Sequence, residues 1–178
     1  MARDVENIEF GPCNVSYNAV DIGFFTGGVT SVYTVEWYDV VVDQFSAPID
    51  AKVMKEGILI TVPMAETDLA TLQQVMLTGT YTLDAAGTKK SLYAGGKQVS
   101  NSDFSQLIVT PTQDNSGTDS TSNNDKTTVF KAVPKIQWSK GYNRDTHRIV
   151  PVEFMGLADT SLDAGKNLVL FGDSTATA

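Results

Sequence analysis

Fifteen consecutive residues, Val29 to Asp43, contain no proline or glycine and are rich in β-branched and aromatic side chains. That composition suits a pleated, half-buried surface and selects a strand. Ordinary strands run about 5–6 residues, so a strand of this length needs an equally long partner. Lys52 to Met64 supplies it: Ile58, Ile60 and Val62 share one face and Thr61 points the other way. The connector, Gln44 to Ala51, carries Pro48. A helix follows Pro63. Thr67 and Asp68 are its capping residues, and Leu69, Leu72 and Met76 recur at helical spacing. Gly79 fits the left-handed position just beyond a helix end.

The long strand changes face along its length. Val29, Tyr33, Val35 and Trp37 occupy odd positions, whereas Val40 and Val42 occupy even ones and Asp39 and Asp43 take the odd places. A strand facing one core keeps its alternation. Either a bulge lies near Trp37 to Asp39, or the strand outgrows its own domain and meets a second apolar surface. A long strand pair projecting from a small body is an aggregation hazard unless another chain covers it. A projecting pair of this kind is a first sign of a building block.

Around this pair the remaining chain reads as short strands and turns. Met1 to Phe10 is a polar arm that orders only against a partner. Cys13 to Tyr17 and Val20 to Phe24 form a small hairpin, and further strands fall at 80–83, 91–93, 105–110, 127–133, 147–155 and 167–171. Between Gln113 and Asp125 there is no apolar residue. Burial cannot offset the ordering entropy of such a segment, so residues 113–126 read as a polar surface loop of a single domain spanning 1–178. The fold class expected is mainly β: two packed antiparallel sheets, sandwich or barrel, with one flanking helix and a long strand-pair loop.

Chemistry is sparse. His147 is the only histidine and Cys13 the only cysteine. An internal disulfide is therefore excluded, and a reducing compartment fits. Cys13 alternates with Val15 and Tyr17 and reads as a packed thiol. No phosphate loop, zinc spacing or calcium-loop spacing is present, although Asp114 and Asp119 lie in the polar loop. Trp37 and Trp138 could stack on sugars, but core or subunit contact is the simpler role. The reading is a non-enzyme with no cofactor and no metal. Twenty-one acidic residues against 13 basic ones give a formal charge of −8, which does not hold a phosphate backbone by counterion release. No apolar run approaches a membrane span, so insertion into a membrane is not expected.

The order of these segments resembles the major tail tube protein of long-tailed bacteriophages. The likeness lies in Val29 to Asp43, the connector with Pro48, Gly57 to Pro63, and Ala65-Glu66-Thr67-Asp68-Leu69. It continues through Lys131-Ala132-Val133-Pro134, Tyr142 to Arg148, Val150-Pro151-Val152-Glu153-Phe154, Asp159, and the closing Leu170-Phe171-Gly172-Asp173. It covers nearly the whole chain, and its specificity lies in the order because no motif carries chemistry.

The resemblance implies a virion structural protein, made in the host cytoplasm and located in the tail. Six copies would form a ring whose inner sheets join into one β-barrel. Rings would stack into a hollow tube that holds the tape measure protein, meets tail terminator and tail-tip proteins, and passes DNA. Lumen-lining candidates are Thr34, Glu36, Asp39 and Asp43, with Lys55 and Thr61 opposite, and the acids would give a negative bore that repels phosphate. Inter-subunit candidates are Val40, Val42, Phe45, Pro48 and Ile49. The polar loop departs from the pattern and belongs on the outside. The alternatives are a phage decoration protein, a carbohydrate-binding β-sandwich module, or a related injection tube with a sheath partner.

Overall fold

A computed structural model describes residues 12–65, 68–112, 118–120, 123–138 and 148–176. The N-terminal arm, Thr67, most of the polar loop and His147 lie outside the described residues. The protein is mainly β; the described residues form two antiparallel sheets and one α-helix. The elements are β1 (Cys13–Tyr17), β2 (Val20–Asp21), β3 (Thr30–Val40), β4 (Asp50–Met64), α1 (Leu69–Val75), β5 (Gly79–Leu83), β6 (Lys90–Ala94), β7 (Ser105–Pro111), β8 (Thr127–Ile136), β9 (Val150–Leu157) and β10 (Val169–Phe171).

The larger sheet runs β2-β1-β7-β8-β9-β4-β3, with β10 also paired to β8. Strands β9 and β10 lie along the same edge of β8. Lys131 pairs with Leu157 and Val129 with Val169, so residues 158–168 are an excursion that interrupts one strand line. The sheet curls on itself. Tyr17 on β1 packs against Phe154 on β9, with ring centroids 5.3 Å apart, although two strands separate them in the sheet. The turn at Asn18 and Ala19, both at positive φ, sends the chain back through β2. Phe25 then bridges to Met64 on β4, and Thr26 N–H donates to the Pro63 carbonyl at 3.1 Å. This link carries the β2 end of the sheet round towards its β4 end.

Inside the curl lies the core. Val15 and Tyr17 meet Ile58, Ile60, Val62 and Met64, with Val150, Val152 and Phe154 beside them, all buried. The alternation read for β4 is thus the core face of that strand. Tyr17 also fastens the layer with its hydroxyl, which donates to the Ala132 carbonyl and accepts from Ser105 N–H, each at 3.2 Å. Burial pushes its phenol pKa up. Gly156 sits where β9 crosses β4 and β8. A Cβ there would overlap Ile58 Cγ2 and lie 3.2 Å from Val129 Cγ1.

The helix covers one end of the core with Leu72 and Val75. Asp68 caps it, accepting from Ala70 N–H at 3.1 Å, and takes the Lys90 ammonium of β6 at 2.8 Å. That ion pair ties the β5–β6 hairpin to the helix start. Met76, not Gly79, closes the helix: its N–H donates to the Leu72 carbonyl. Gly79 opens β5, where a Cβ would meet Leu92 Cδ1 and the Met76 carbonyl oxygen at 3.0 Å. The glycine read as a left-handed cap is there for close packing. The helix is also short, so its stability comes from docking rather than from its own hydrogen bonds.

Two outcomes test this packing. Gly156→Ala should lower unfolding free energy by about 2 kcal/mol through overpacking, measured by urea denaturation; unchanged stability would show that Ile58 can move aside. The second concerns pH. The hydrogen bond from Lys90, then that from Ala70 N–H, hold the Asp68 carboxyl below its ordinary value of 3.8. A depressed carboxylate stabilises the fold at higher pH and loses that contribution as pH falls through its folded value. Lys90→Gln should therefore lower the melting temperature near neutrality and make its decline below about pH 4 shallower. Parallel acid melting curves for variant and wild type would contradict this.

Candidate assembly surface

Strands β3 and β4 leave the curled body together. β4 pairs with β9 only from Leu59 to Met64, so Asp50 to Ile58 offer that edge to no strand among the described residues. The outer edge of β3 is likewise unpaired among them. The result is a two-stranded ribbon whose far half is almost wholly exposed. Among the described residues, ten of the eighteen exposed large hydrophobic ones fall within Thr30 to Leu59, including Trp37 at 62%, Phe45 at 63% and Met54 at 68% exposure. Apolar surface is therefore concentrated here rather than scattered, which marks an interaction surface.

The bulge is present, but on the partner strand. Glu36 pairs with Lys55 and Trp37 with Val53, leaving Met54 as the extra residue on β4. Alternation along β3 consequently continues unbroken. Residues opposite one another in an antiparallel pair share a face. One face carries Tyr33, Val35, Trp37 and Asp39 with Ile58, Glu56, Val53 and Ala51 opposite, and it continues the core face of β4. The other carries Val32, Thr34, Glu36, Tyr38 and Val40 with Leu59, Gly57, Lys55, Lys52 and Asp50.

This register sorts the residues singled out in the sequence. Thr34, Glu36, Lys55 and Thr61 do share the second face, and Glu36 lies 3.6 Å from Lys55. Both partners are exposed, so the pair itself adds little stability. Asp39 is on the other face, beside Trp37. Asp43 lies past the strand end, in the turn with Gln44. The grouping of Glu36, Asp39 and Asp43 on one wall required the extra residue to be in β3, and it is in β4. Strand β3 also stops at Val40, so Val42 belongs to the connector. Val40 and Val42 are half-buried, whereas Phe45, Pro48 and Ile49 are exposed at the tip, which is closed by Ile49 N–H donating to the Val40 carbonyl at 2.9 Å.

The second face extends over β9 and β8. Thr61 pairs with Glu153 and Glu153 with Lys135; Leu59, Met155 and Val133 form the next row. Its lysines differ in their surroundings. Lys55 lies 3.6 Å from Glu36, whereas the Lys135 ammonium donates to Met155 Sδ at 3.3 Å although Glu153 is its cross-strand partner. Lys52 lies two residues from Asp50 on the same face, and Lys131 helps to hold Asp159, in the excursion after β9, below the ordinary carboxylate range after its bonds from Ser161. Lysines and acids are thus interleaved along this side of the sheet. The sequence reading had missed Lys52, Lys131, Lys135 and Glu153. The alternation of Lys131, Val133 and Lys135 was the available signal.

An open cleft of about 850 Å³ lies between the free edge of β4 and the excursion after β9. Val32, Val53, Leu59, Met155 and Leu157 make its lining largely apolar. On the core side, the Tyr33 ring meets Phe171 of β10 edge-on at 6.2 Å. Glu56 and partial desolvation push the Tyr33 phenol up, desolvation being the larger cause. Trp138 lines a separate apolar cleft with Leu69, Met76 and Leu92 beneath the helix. The two tryptophans therefore do not form one platform. Among the described residues no group of three metal-ligating side chains occurs and no helix is long and apolar enough to cross a membrane. Cys13 is half-buried and desolvation raises its thiol pKa, which disfavours the reactive thiolate.

No protein-family model matches this chain, and no curated protein is significantly similar to it.

The ribbon geometry sets one expectation. Deleting Met54 removes the extra residue, so Val53 and Lys55 become chain neighbours and the ladder should run unbroken with Trp37 still opposite Val53 and Tyr38 opposite Lys52. Cross-strand nuclear Overhauser contacts would report this regular pairing; Trp37 paired with Lys52 instead, which would move Lys52 off the face of Glu36, would show that the bulge is fixed from elsewhere.

Proposed function

We propose that this chain is a structural subunit of a tail-tube-like conduit, in which six-membered rings stack into a hollow tube. The observation that carries the reading is a ribbon with an apolar surface and two edges that are unpaired among the described residues. Its two edges belong to different strands on opposite sides of the ribbon. The outer edge of β3 in one copy can pair with the free Asp50–Ile58 edge of β4 in the next. Such a contact joins unlike surfaces, and repeated head to tail it closes into a ring when the rotation allows. Edge pairing would satisfy the backbone groups that the isolated subunit leaves to water. The cleft beside β4 gives room for the incoming strand and apolar side chains to cover it. Phe45, Pro48 and Ile49 at the exposed tip are placed to reach an adjacent copy or ring.

The order of segments that resembles tail tube proteins supports the same reading. It also brings the implied partners: tape measure protein, terminator and tip proteins, and DNA in transit, with the virion tail as location. A role without catalysis fits a surface built from strands and apolar side chains. The sugar-binding and decoration alternatives draw no comparable support, since Trp37 stands on the ribbon and Trp138 beneath the helix.

Val40 and Val42 provide the test, because both lie at the far end of the ribbon outside the core. Replacing both with Asp should leave circular dichroism and melting temperature close to wild type and abolish polymerisation. Sedimentation would show a monomer at concentrations where wild type assembles. Tubes of normal length from the double variant would sink the proposal.

A further inference from the structure

The ribbon joins the body at a narrow root. Among the described residues β3 packs extensively against no element but β4, and β4 keeps its ladder to β9 only as far as Leu59 opposite Met155. The next rungs outward are Tyr33 with Ile58 and Thr34 with Gly57. Gly57 is not placed here for the usual reasons. Its φ lies outside the left-handed region, and a Cβ would meet only Thr34 Oγ1, at 3.5 Å, an ordinary contact. A Cβ on Gly156, by contrast, would overlap Ile58. What glycine supplies at position 57 is backbone freedom inside a strand. The open cleft of about 850 Å³ borders it, so the strand has room to bend.

One contact works against that freedom. The Tyr33 ring, on the first rung beyond the β9 ladder, meets Phe171 of β10 at 6.2 Å with the ring planes at 82°. Phe171 belongs to the body, because it pairs with Thr127 on β8. Both rings are exposed and lie outside the core. Partial desolvation of the Tyr33 phenol agrees with the contact. An edge-to-face aromatic pair biases an equilibrium by about fivefold.

We propose that the ribbon is hinged at Gly57 and that Tyr33 and Phe171 form a latch holding it in the observed pose. The latch fixes the direction in which the Asp50–Ile58 edge of β4 and the cleft beside it are presented. An edge held in one pose loses less freedom when another strand pairs with it. The hinge lets the ribbon adjust to the angle of that strand. The inference concerns the isolated subunit and stands whether or not copies assemble into rings.

The test measures a distance distribution by pulsed electron–electron double resonance, at dilutions where sedimentation shows a monomer. Spin labels on Ser46→Cys at the ribbon tip and Gln106→Cys on β7 report the ribbon against the body, with Cys13→Ala removing the native thiol. Wild type should give one main peak. Phe171→Ala, and Tyr33→Leu as an independent break of the same contact, should each raise the fraction outside that peak about fivefold. Adding Gly57→Ala to Phe171→Ala should return the distribution towards its wild-type width, because a Cβ at position 57 restricts the backbone without a clash. Melting temperatures should stay close to wild type. Unchanged distributions in both single variants would remove the latch, and broadening that Gly57→Ala fails to reduce would remove the hinge; either overturns the proposal. So would a large drop in melting temperature, which would show that the contact holds the body together rather than the ribbon in place.

Discussion

A strand pair that leaves its parent sheet keeps backbone donors and acceptors on both outer edges, and only water or another strand can pair them. This constraint organises the molecule. The curled sheet is a complete core in itself: β1, β7, β8, β9 and the inner half of β4 bury Tyr17, Ile60, Val62 and Phe154 without help from the ribbon. Nothing in that core needs β3 to run eleven residues or β4 to run fifteen. Under the proposed assembly, the excess length serves contacts outside the subunit. The concentration of exposed Trp37, Phe45 and Met54 on it gives the same indication from side chains.

Much of the fold was legible in residue patterns. The two long strands, the capping Asp68 and the alternation of Ile58, Ile60 and Val62 follow from local rules that tertiary context did not override. The features that escaped are those set by contact at a distance. The face change around Trp37 correctly signals a bulge, but which strand holds the extra residue depends on pairing, and Met54 on β4 carries it. Gly79 has a sequence position typical of a helix cap, yet its role is set by Leu92 across the hairpin. The break between β9 and β10 is invisible locally, because both pieces read as ordinary strands and only β8 shows them to be one line.

The same distinction governs the candidate surface. Thr34, Glu36, Lys55 and Thr61 could be grouped by alternation within the hairpin and do share a face. Asp39 and Asp43 could not, since their orientation hangs on the bulge and on where β3 ends. Glu153 and Lys135 reach that face through strands far away in sequence. Net charge is a property of the whole chain, and it does not describe any one face. Here an acidic protein presents a wide polar face with opposite charges interleaved, while other acids such as Asp39 and Asp43 lie elsewhere on the ribbon and its tip.

In the proposed assembly the ribbon is the element whose edges are completed by neighbouring copies. Cryo-electron microscopy of the concentrated wild-type protein would decide this. Hollow filaments of stacked rings are expected, with the outer edge of β3 hydrogen-bonded to the Asp50–Ile58 edge of β4 in the adjacent copy. Dispersed monomers at every concentration, or filaments in which both edges stay unpaired, would contradict it.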